Sequence, residues 1–495
     1  MTTATATRTE LWGHQREGVD FILARPASML AWGMGAGKSL GVIGALEEAG
    51  AERVLIAAPK SVVEVWPDQF TQHAGRDWQV WAGRVQGARG ALKNPSVDRR
   101  AAACVESYSG ALRLGRPFAS VVNYESTWQG DMADVLIGTP WDTLVIDESH
   151  RVKSPSGKAS KLLARIAQRV RDRGGRVILL TGTPMPHSPL DLWAQLRALD
   201  GGERLGTNFH RFQQSFGAPE EIRVAGGNLR TVYKGLREDR REDFEARVAD
   251  VIHHVTTTDV IDLPEAIDTY CAFDLRPATA KVYAQLERDM IADLDGGAVA
   301  TAANAMVLPL RLAQVTSGYL PDAESGDPQP IEPGATPEKA AALEDRLGDI
   351  PAGEPVVVFC RFRRDLDNIR EVAARTGRTY GELSGRSRDG MDGPRMAAHV
   401  DLLGAQLQAG GVGIDLTRAA HVVYYSLDFK LADYAQSRAR VHRPGQDRPV
   451  VYHHLLARDT VDWAIWGALR RREEVVGAVI AALKERSSSK KEGRP

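Results

Sequence analysis

The stretch Gly33-Met34-Gly35-Ala36-Gly37-Lys38-Ser39 constrains this chain more than any other. Its alternating glycines let the backbone come close to a ligand and turn its amides toward it. Lys38 and Ser39 open an apolar helical pattern, and a helix start carries partial positive charge. Amides, an ammonium and a helix N-terminus converging on one point suit a polyphosphate. Gly33, Met34, Gly35, Ala36, Gly37, Lys38 and Ser39 are therefore the candidate phosphate-binding residues, with the Ser39 hydroxyl placed to ligate Mg2+. The strict phosphate-loop spacing asks for glycine where Trp32 stands. Taken alone, a Gly-rich turn followed by a chance Lys-Ser would account for the pattern.

Two downstream segments change that reading. Asp147 and Glu148 end the apolar run Thr143-Leu144-Val145-Ile146 and precede Ser149-His150. A carboxylate at such a strand end can hold Mg2+, usually through water, and the next can orient and deprotonate an attacking water. Near the C-terminus, Arg440 and Arg443 stand at helical i, i+3 spacing just before Pro444-Gly445-Gln446. Two guanidiniums on one face can neutralise charge developing on a transferred γ-phosphoryl. Phosphate loop, acidic pair and arginines together are the catalytic parts of a nucleoside triphosphatase, and Lys38, Asp147, Glu148, Arg440 and Arg443 are its candidate catalytic residues. Gln15, in Leu11-Trp12-Gly13-His14-Gln15, carries an amide able to pair with both a donor and an acceptor on an adenine edge.

Short Val/Ile/Leu runs alternate with helical patterns at both ends of the chain: Val54–Ala58, Ser120–Tyr124, Thr143–Ile146 and Val177–Leu180, then Val356–Phe359, His421–Tyr425 and Val450–Leu455. Runs apolar on both faces read as buried parallel strands. The expected organisation is an N-terminal ATP-binding lobe over 1–200, helical insertions and a linker over 201–335, a C-terminal lobe over 336–470, and a helix end with a disordered polar tail over 471–495. Trp463 and Trp466, at helical spacing, are expected to pack on the second lobe.

The net charge of −1 does not exclude a nucleic-acid partner, because screening makes local patches count more than totals. Arg84, Arg89, Lys93, Arg99, Arg100, Arg113 and Arg116 form one basic stretch, and Arg230, Lys234, Arg237, Arg240 and Arg241 another. Each also reads as an ordinary solvated face. No run of about twenty apolar residues exists, so no membrane partner is expected. Cys104, Cys271 and Cys360 are few and scattered, which fits a reducing cytoplasm, bacterial or phage-infected.

These segments resemble helicase superfamily two, and within it the Swi/Snf-type DNA translocases, from about Leu11 to Leu469. The resemblance is carried by Gln15, by Gly35-Ala36-Gly37-Lys38-Ser39, by Asp147-Glu148-Ser149-His150 (Ser149 standing for the family's alanine) and by Leu180-Thr181-Gly182-Thr183-Pro184. Gly411-Val412-Gly413-Ile414-Asp415 and, most specifically, Gln436 to Gln446 complete it. It implies an α/β fold of two RecA-like doubly wound parallel-sheet lobes with helical insertions between them. ATP and Mg2+ are the implied cofactors, bound where the lobes meet. Gly413 and Asp415 join the implied nucleotide site. Lys60, Ser61, Trp66, Tyr124, Thr181 and Arg361 are the implied DNA contacts, and His150, Thr181, Thr183 and Gln436 the implied couplers of hydrolysis to movement. The implied partner is duplex DNA gripped mainly by its phosphates, independent of sequence, by a monomeric motor. A motor subunit powering a separate nuclease and an RNA-directed helicase are the competing expectations.

Overall fold

The computed structural model describes residues 7–33, 35–60, 62–83, 86–87, 90–91, 96–182, 184–185, 188–223, 229–256, 263–295, 302–322, 326–408 and 414–471. The chain divides into two compact units, Met1–Asp262 and Leu263–Pro495.

The doubly apolar runs become strands of two all-parallel sheets. In the first unit these are β1 (Ala27–Trp32), β2 (Arg53–Ala58), β3 (Gln79–Trp81), β4 (Phe118–Asn123), β5 (Thr143–Asp147) and β6 (Arg176–Thr181). A separate antiparallel hairpin, β7 (Gly217–Arg223) and β8 (Leu229–Leu236), follows, and β9 (Ile252–Val255) returns to the sheet. The strand order is β9-β1-β6-β5-β2-β4-β3. The register aligns the ends that matter. Ala31 pairs with Thr181, and Leu180 pairs with Asp147. The segments after β1, β6 and β5 therefore leave neighbouring strands at one carboxyl edge, where open α/β sheets bind ligands. Helices α1 (Gly13–Leu23) and α2 (Lys38–Glu48) pack beside β1; α3 (Lys158–Asp172) and α4 (Leu192–Asp200) cover β6.

In the second unit β10 (Ala266–Phe273), β11 (Val356–Cys360), β12 (Tyr380–Leu383), β13 (Leu402–Gln406), β14 (His421–Tyr424) and β15 (Val450–Ala457) lie in the order β10-β15-β14-β11-β13-β12. Strand β11 shows why its sequence lacks alternation. Val357 and Phe359 enter one apolar cluster, while Val356, Val358 and Cys360 enter the other, so both faces are dry. The stretch 201–335 holds helices, among them α5 (Ala302–Thr316), but it also gives β9 to the first sheet and β10 to the second. Most of the β10 residues are only partly buried, which masks the strand signal.

A buried ion pair ties three helices of the second unit. Lys339 of α6 (Glu338–Gly348) is 1% exposed; its Nζ lies 2.8 Å from Asp462 Oδ2 on α8 (Val461–Arg471) and donates to Thr316 Oγ1 of α5 at 3.0 Å. Removing one member of such a pair costs roughly 3–5 kcal/mol, because the other charge is left stranded. Trp463 and Trp466 of α8 pack against Tyr270 of β10, and Trp466 also meets His454 of β15. Among the described residues no helix is long and apolar enough to cross a membrane.

His454 generates a prediction. Its Nδ1 meets the Thr269 carbonyl at 3.0 Å, so Nδ1 carries the proton and Nε2 accepts from the Tyr434 hydroxyl at 3.0 Å. Burial holds the imidazole neutral, down to about 4. A histidine whose folded value lies below its unfolded one stabilises fully above pH ~6.5, and that contribution is lost as pH falls from there toward 4. The loss should reach about 2 kcal/mol by pH ~5. Denaturant unfolding of wild type and His454→Asn at pH ~7.5 and ~5 should show the wild type losing that much more. An imidazole resonance titrating near the free-histidine value would contradict it.

Candidate functional site

The phosphate-loop candidates occupy the turn between β1 and α2. Gly35 and Gly37 adopt φ of 84° and 73°, the left-handed region where a side chain is strained. Gly37 has a second constraint, since a Cβ there would lie 2.1 Å from Gln15 Nε2. Gln15 is buried; its Oε1 accepts from the Trp12 amide at 3.0 Å and its Nε2 donates to the Ala36 carbonyl at 3.3 Å. His14 Nε2 donates to the same carbonyl at 2.8 Å. Lys38 Nζ donates to the carbonyls of Trp32 (2.9 Å) and Gly33 (3.3 Å), closing the loop over the end of β1. Trp32 is wholly buried beneath that loop. Its Nε1 donates to His253 Nδ1 at 2.8 Å, and its ring fills the space that Gly18 and Gly41 leave open.

The acidic pair leaves the end of β5, two strands from β1. Asp147 Oδ2 accepts from Trp66 Nε1 at 3.2 Å, and the Asp147 carbonyl accepts from the Tyr124 hydroxyl. Glu148 stands at φ 52°, ψ 53°, rare for a residue with a side chain. Such strain, about 1–3 kcal/mol, persists only where the surroundings impose it. Its carboxylate lies 3.3 Å from His150 Nδ1, which is also 3.3 Å from the Thr181 hydroxyl. Burial and the adjacent Glu148 charge push the Asp147 carboxyl up to about 7, against the pull of Lys38. Burial also acts to raise Glu148, but the His150 hydrogen bond and Lys38 outweigh it and hold that carboxyl low. One carboxylate is thus kept ionised beside an imidazole, and a nearby cation would favour the charged form of the other. The Ser39 hydroxyl and the Asp147 carboxylate are hard oxygen donors of the kind Mg2+ takes, and the raised Asp147 fits a cation-holding role.

In the second unit α7 (Leu431–Val441) carries the arginines, and they differ sharply. Arg438 pairs with Asp268 and lies 3.8 Å over the Tyr452 ring. Arg443 Nη1 donates to the Ile414 carbonyl at 3.2 Å. Arg440 is 4% exposed, yet its Nε, Nη1 and Nη2 have no hydrogen-bond partner among the described residues. Burial lowers its guanidinium to about 10, so it remains charged at neutral pH. Gln446 Nε2 donates to the carbonyls of Thr417 and Ala419, both at 3.0 Å, which anchors the segment after the helix. Gln436, one turn before Arg440, is half-buried on α7.

The chain matches the SNF2-related domain over residues 14–317 and the helicase conserved C-terminal domain over residues 338–445. It belongs to the SNF2-related family. As a member it is a helicase-family ATPase motor, an ATP hydrolase. Protein p41 of Acyrthosiphon pisum secondary endosymbiont phage 1 is 26% identical, the match covering 92% of this chain and 94% of that one. The DNA annealing helicase and endonuclease ZRANB3 is 24% identical in Bos taurus and 25% in Homo sapiens, over 97% of this chain. This SNF2-family chain spans 41% of the length of each of those two relatives. Among solved structures, the Sulfolobus solfataricus SWI2/SNF2 ATPase core in complex with dsDNA matches with a TM-score of 0.41 and 20% identity, over 97% of this chain and 96% of that one.

Several residues that the SNF2 resemblance marks as DNA contacts are placed otherwise. Tyr124 and Trp66 are buried under the acidic pair, their polar atoms bonded to Asp147. Thr181 is wholly buried, its hydroxyl 3.3 Å from His150 Nδ1, beside the acidic pair and away from the surface. Arg361 is drawn inward by Asp428 and the Phe429 ring, 4.2 Å away. Lys60 is exposed after β2. Asp415 is committed to a turn, its Oδ1 accepting from the Thr417 amide (3.0 Å) and hydroxyl (2.7 Å). Met34, Ser61, Thr183 and Gly413 lie outside the described residues, as do Arg84, Arg89, Lys93 and 472–495. Sequence reasoning gave no role to His14 or Gln195. A polar residue inside an otherwise apolar helical pattern was the available signal for Gln195.

Lys38→Ala and Glu148→Gln should each cut ATP turnover by about 10²–10⁴, the range for losing a positioned acid–base or charge-stabilising group. Steady-state phosphate release measures this, and near-wild-type rates in either variant would remove the assigned roles.

Proposed function

We propose that this chain is a DNA-stimulated ATPase that moves along duplex DNA, gripping phosphates without reading sequence. The observation that carries the reading is Arg440: a charged guanidinium, buried, with no partner among the described residues. An unpaired buried charge is costly, and the natural compensation is an anion delivered by a ligand. In this reading the ligand is ATP. Its phosphates lie on the Gly33–Ser39 loop, with Lys38 turned from the Trp32 and Gly33 carbonyls onto the β- and γ-oxygens. Ser39 and Asp147 hold the Mg2+, which when bound neutralises phosphate charge. Glu148, kept ionised beside His150, orients the attacking water and takes its proton. Arg440 and Arg443 meet the charge that develops on the γ-phosphoryl. Lys60 is the exposed basic residue offered to the DNA backbone, and His150 with Thr181 links hydrolysis to that side of the sheet. Gln15 reads adenine after leaving the Ala36 carbonyl. Gln436, on the same helix as Arg440, is a further residue that couples hydrolysis to movement.

The family membership supports a nucleic-acid motor, and the names of the ZRANB3 relatives favour strand annealing or displacement on DNA over action on RNA. ATPase rates against single-stranded DNA, duplex, forked DNA and RNA test this directly. Duplex or forked DNA should stimulate turnover at low salt and RNA should not. The apparent affinity should fall log-linearly with salt, about −0.9 per phosphate neutralised. A triplex-displacement assay beside a forked-duplex assay separates translocation from strand separation. Equal rates with and without every nucleic acid would end the proposal.

Arg440 makes a second prediction with opposite signs in two measurements. Arg440→Leu should lower turnover by about 10³ or more. It should also leave the ligand-free protein as stable as wild type or more stable, by about 1–4 kcal/mol, since an apolar residue replaces an unpaired buried charge. A variant that keeps its turnover, or that is strongly destabilised without nucleotide, would contradict the role.

A further inference from the structure

Gln195 is fully buried on α4, among Leu192, Trp193, Ala194 and Leu196. An apolar side chain would fill that position without desolvating an amide. The amide is instead fully used. Oε1 accepts from Ser149 Oγ at 2.7 Å, while Nε2 donates to the carbonyls of Pro184 at 2.7 Å and Asp191 at 2.9 Å. The reverse orientation would set an oxygen against two carbonyl oxygens, so the assignment of nitrogen and oxygen is settled by the contacts.

The groups it joins are informative. Ser149 directly follows Glu148, the second residue of the acidic pair. Pro184 lies three residues beyond Thr181, in the segment that leaves β6. A second side-chain contact between these two segments joins His150 Nδ1 and the Thr181 hydroxyl at 3.3 Å. The acidic pair and the segment after β6 are therefore joined by two rungs, one at the imidazole and one through the carboxamide.

We infer that Gln195 is a positioning residue: a buried amide clamp that makes the Asp147–His150 turn and the Thr181–Pro184 segment move as one piece, so that occupancy of the nucleotide side is passed to the segment leaving β6. The inference rests on the reading of the chain as a DNA-stimulated ATPase. Gln195 is wholly enclosed by protein, its amide bonded to Ser149, Pro184 and Asp191, and its loss disconnects the two sides without disarming hydrolysis.

The test uses the full chain with Gln195→Met, close in length but unable to donate or accept in the same way, and Ser149→Ala, which deletes one hydroxyl. Both should keep the DNA-free ATPase rate and the KM for ATP within about threefold, and lose about tenfold or more of the DNA-stimulated rate. Because both act through one clamp, the double variant should be no worse than Gln195→Met alone. Full stimulation in both variants, or DNA-free and stimulated rates falling by one common factor, overturns the clamp. If Gln195→Met does not fold, Ser149→Ala alone carries the comparison. If the wild type itself shows no stimulation, the motor reading fails separately. The clamp is then judged by amide exchange: faster exchange across 181–195 in Ser149→Ala supports it, and unchanged exchange rejects it.

Discussion

The first unit is organised around a repulsion. Asp147 and Glu148 are consecutive carboxylates, both buried at the end of a parallel strand, and two adjacent negative charges in a dry site raise each other's proton affinity. The surroundings resolve the conflict unequally. His150 stabilises Glu148 as an anion, while Asp147 accepts from the neutral Trp66 indole and from the Glu148 backbone. The backbone at Glu148 is left-handed, and its carboxylate lies beside His150. The Tyr124 hydroxyl donates to the Asp147 carbonyl, and Ser149 ties the residue after the pair to Gln195.

The second unit solves a different problem with the same chemistry. Arg438, Arg440 and Arg443 come from one short stretch, yet their environments diverge. Arg438 is neutralised by Asp268 and stacked on Tyr452, so it is part of the framework. Arg440, in the same helix, has no hydrogen-bond partner for its guanidinium among the described residues. Three arginines within six residues read alike on paper, and packing distinguishes the one that braces the helix from the one left without a hydrogen bond.

Much of the architecture was legible because parallel strands buried on both faces leave unbroken apolar runs, and because glycines with positive φ are hard to replace. Val356 to Phe359 and the Gly35–Gly37 loop illustrate each point. The outer strands were not legible. Residues 266–273 are all half-buried or exposed, without a buried run or a period-two alternation, so their pattern does not announce a strand. The candidate site stood out in the sequence where chemistry restricts residue type, as at Lys38, the acidic pair and the arginines. It stood out less where a motif residue has two plausible duties. Tyr124, Trp66 and Thr181 belong to segments that the resemblance associates with DNA, but their side chains are buried beside Asp147 and His150. A motif identifies the segment; which way the side chain faces is decided by local packing.

Trp32 has a consequence of its own. A Cβ on Gly18 would fall 2.1 Å from its Cζ2, and one on Gly41 would fall 3.0 Å from its Cη2. The indole thus interlocks with two bare backbones on separate helices, α1 and α2, directly under the loop that defines the site. No member of this trio can drift alone: a smaller ring would open a void, and a larger residue at either glycine would have nowhere to go. Descendants of this chain should exchange the three positions as a set or not at all, which makes the trio a lineage marker written into the floor of the molecule.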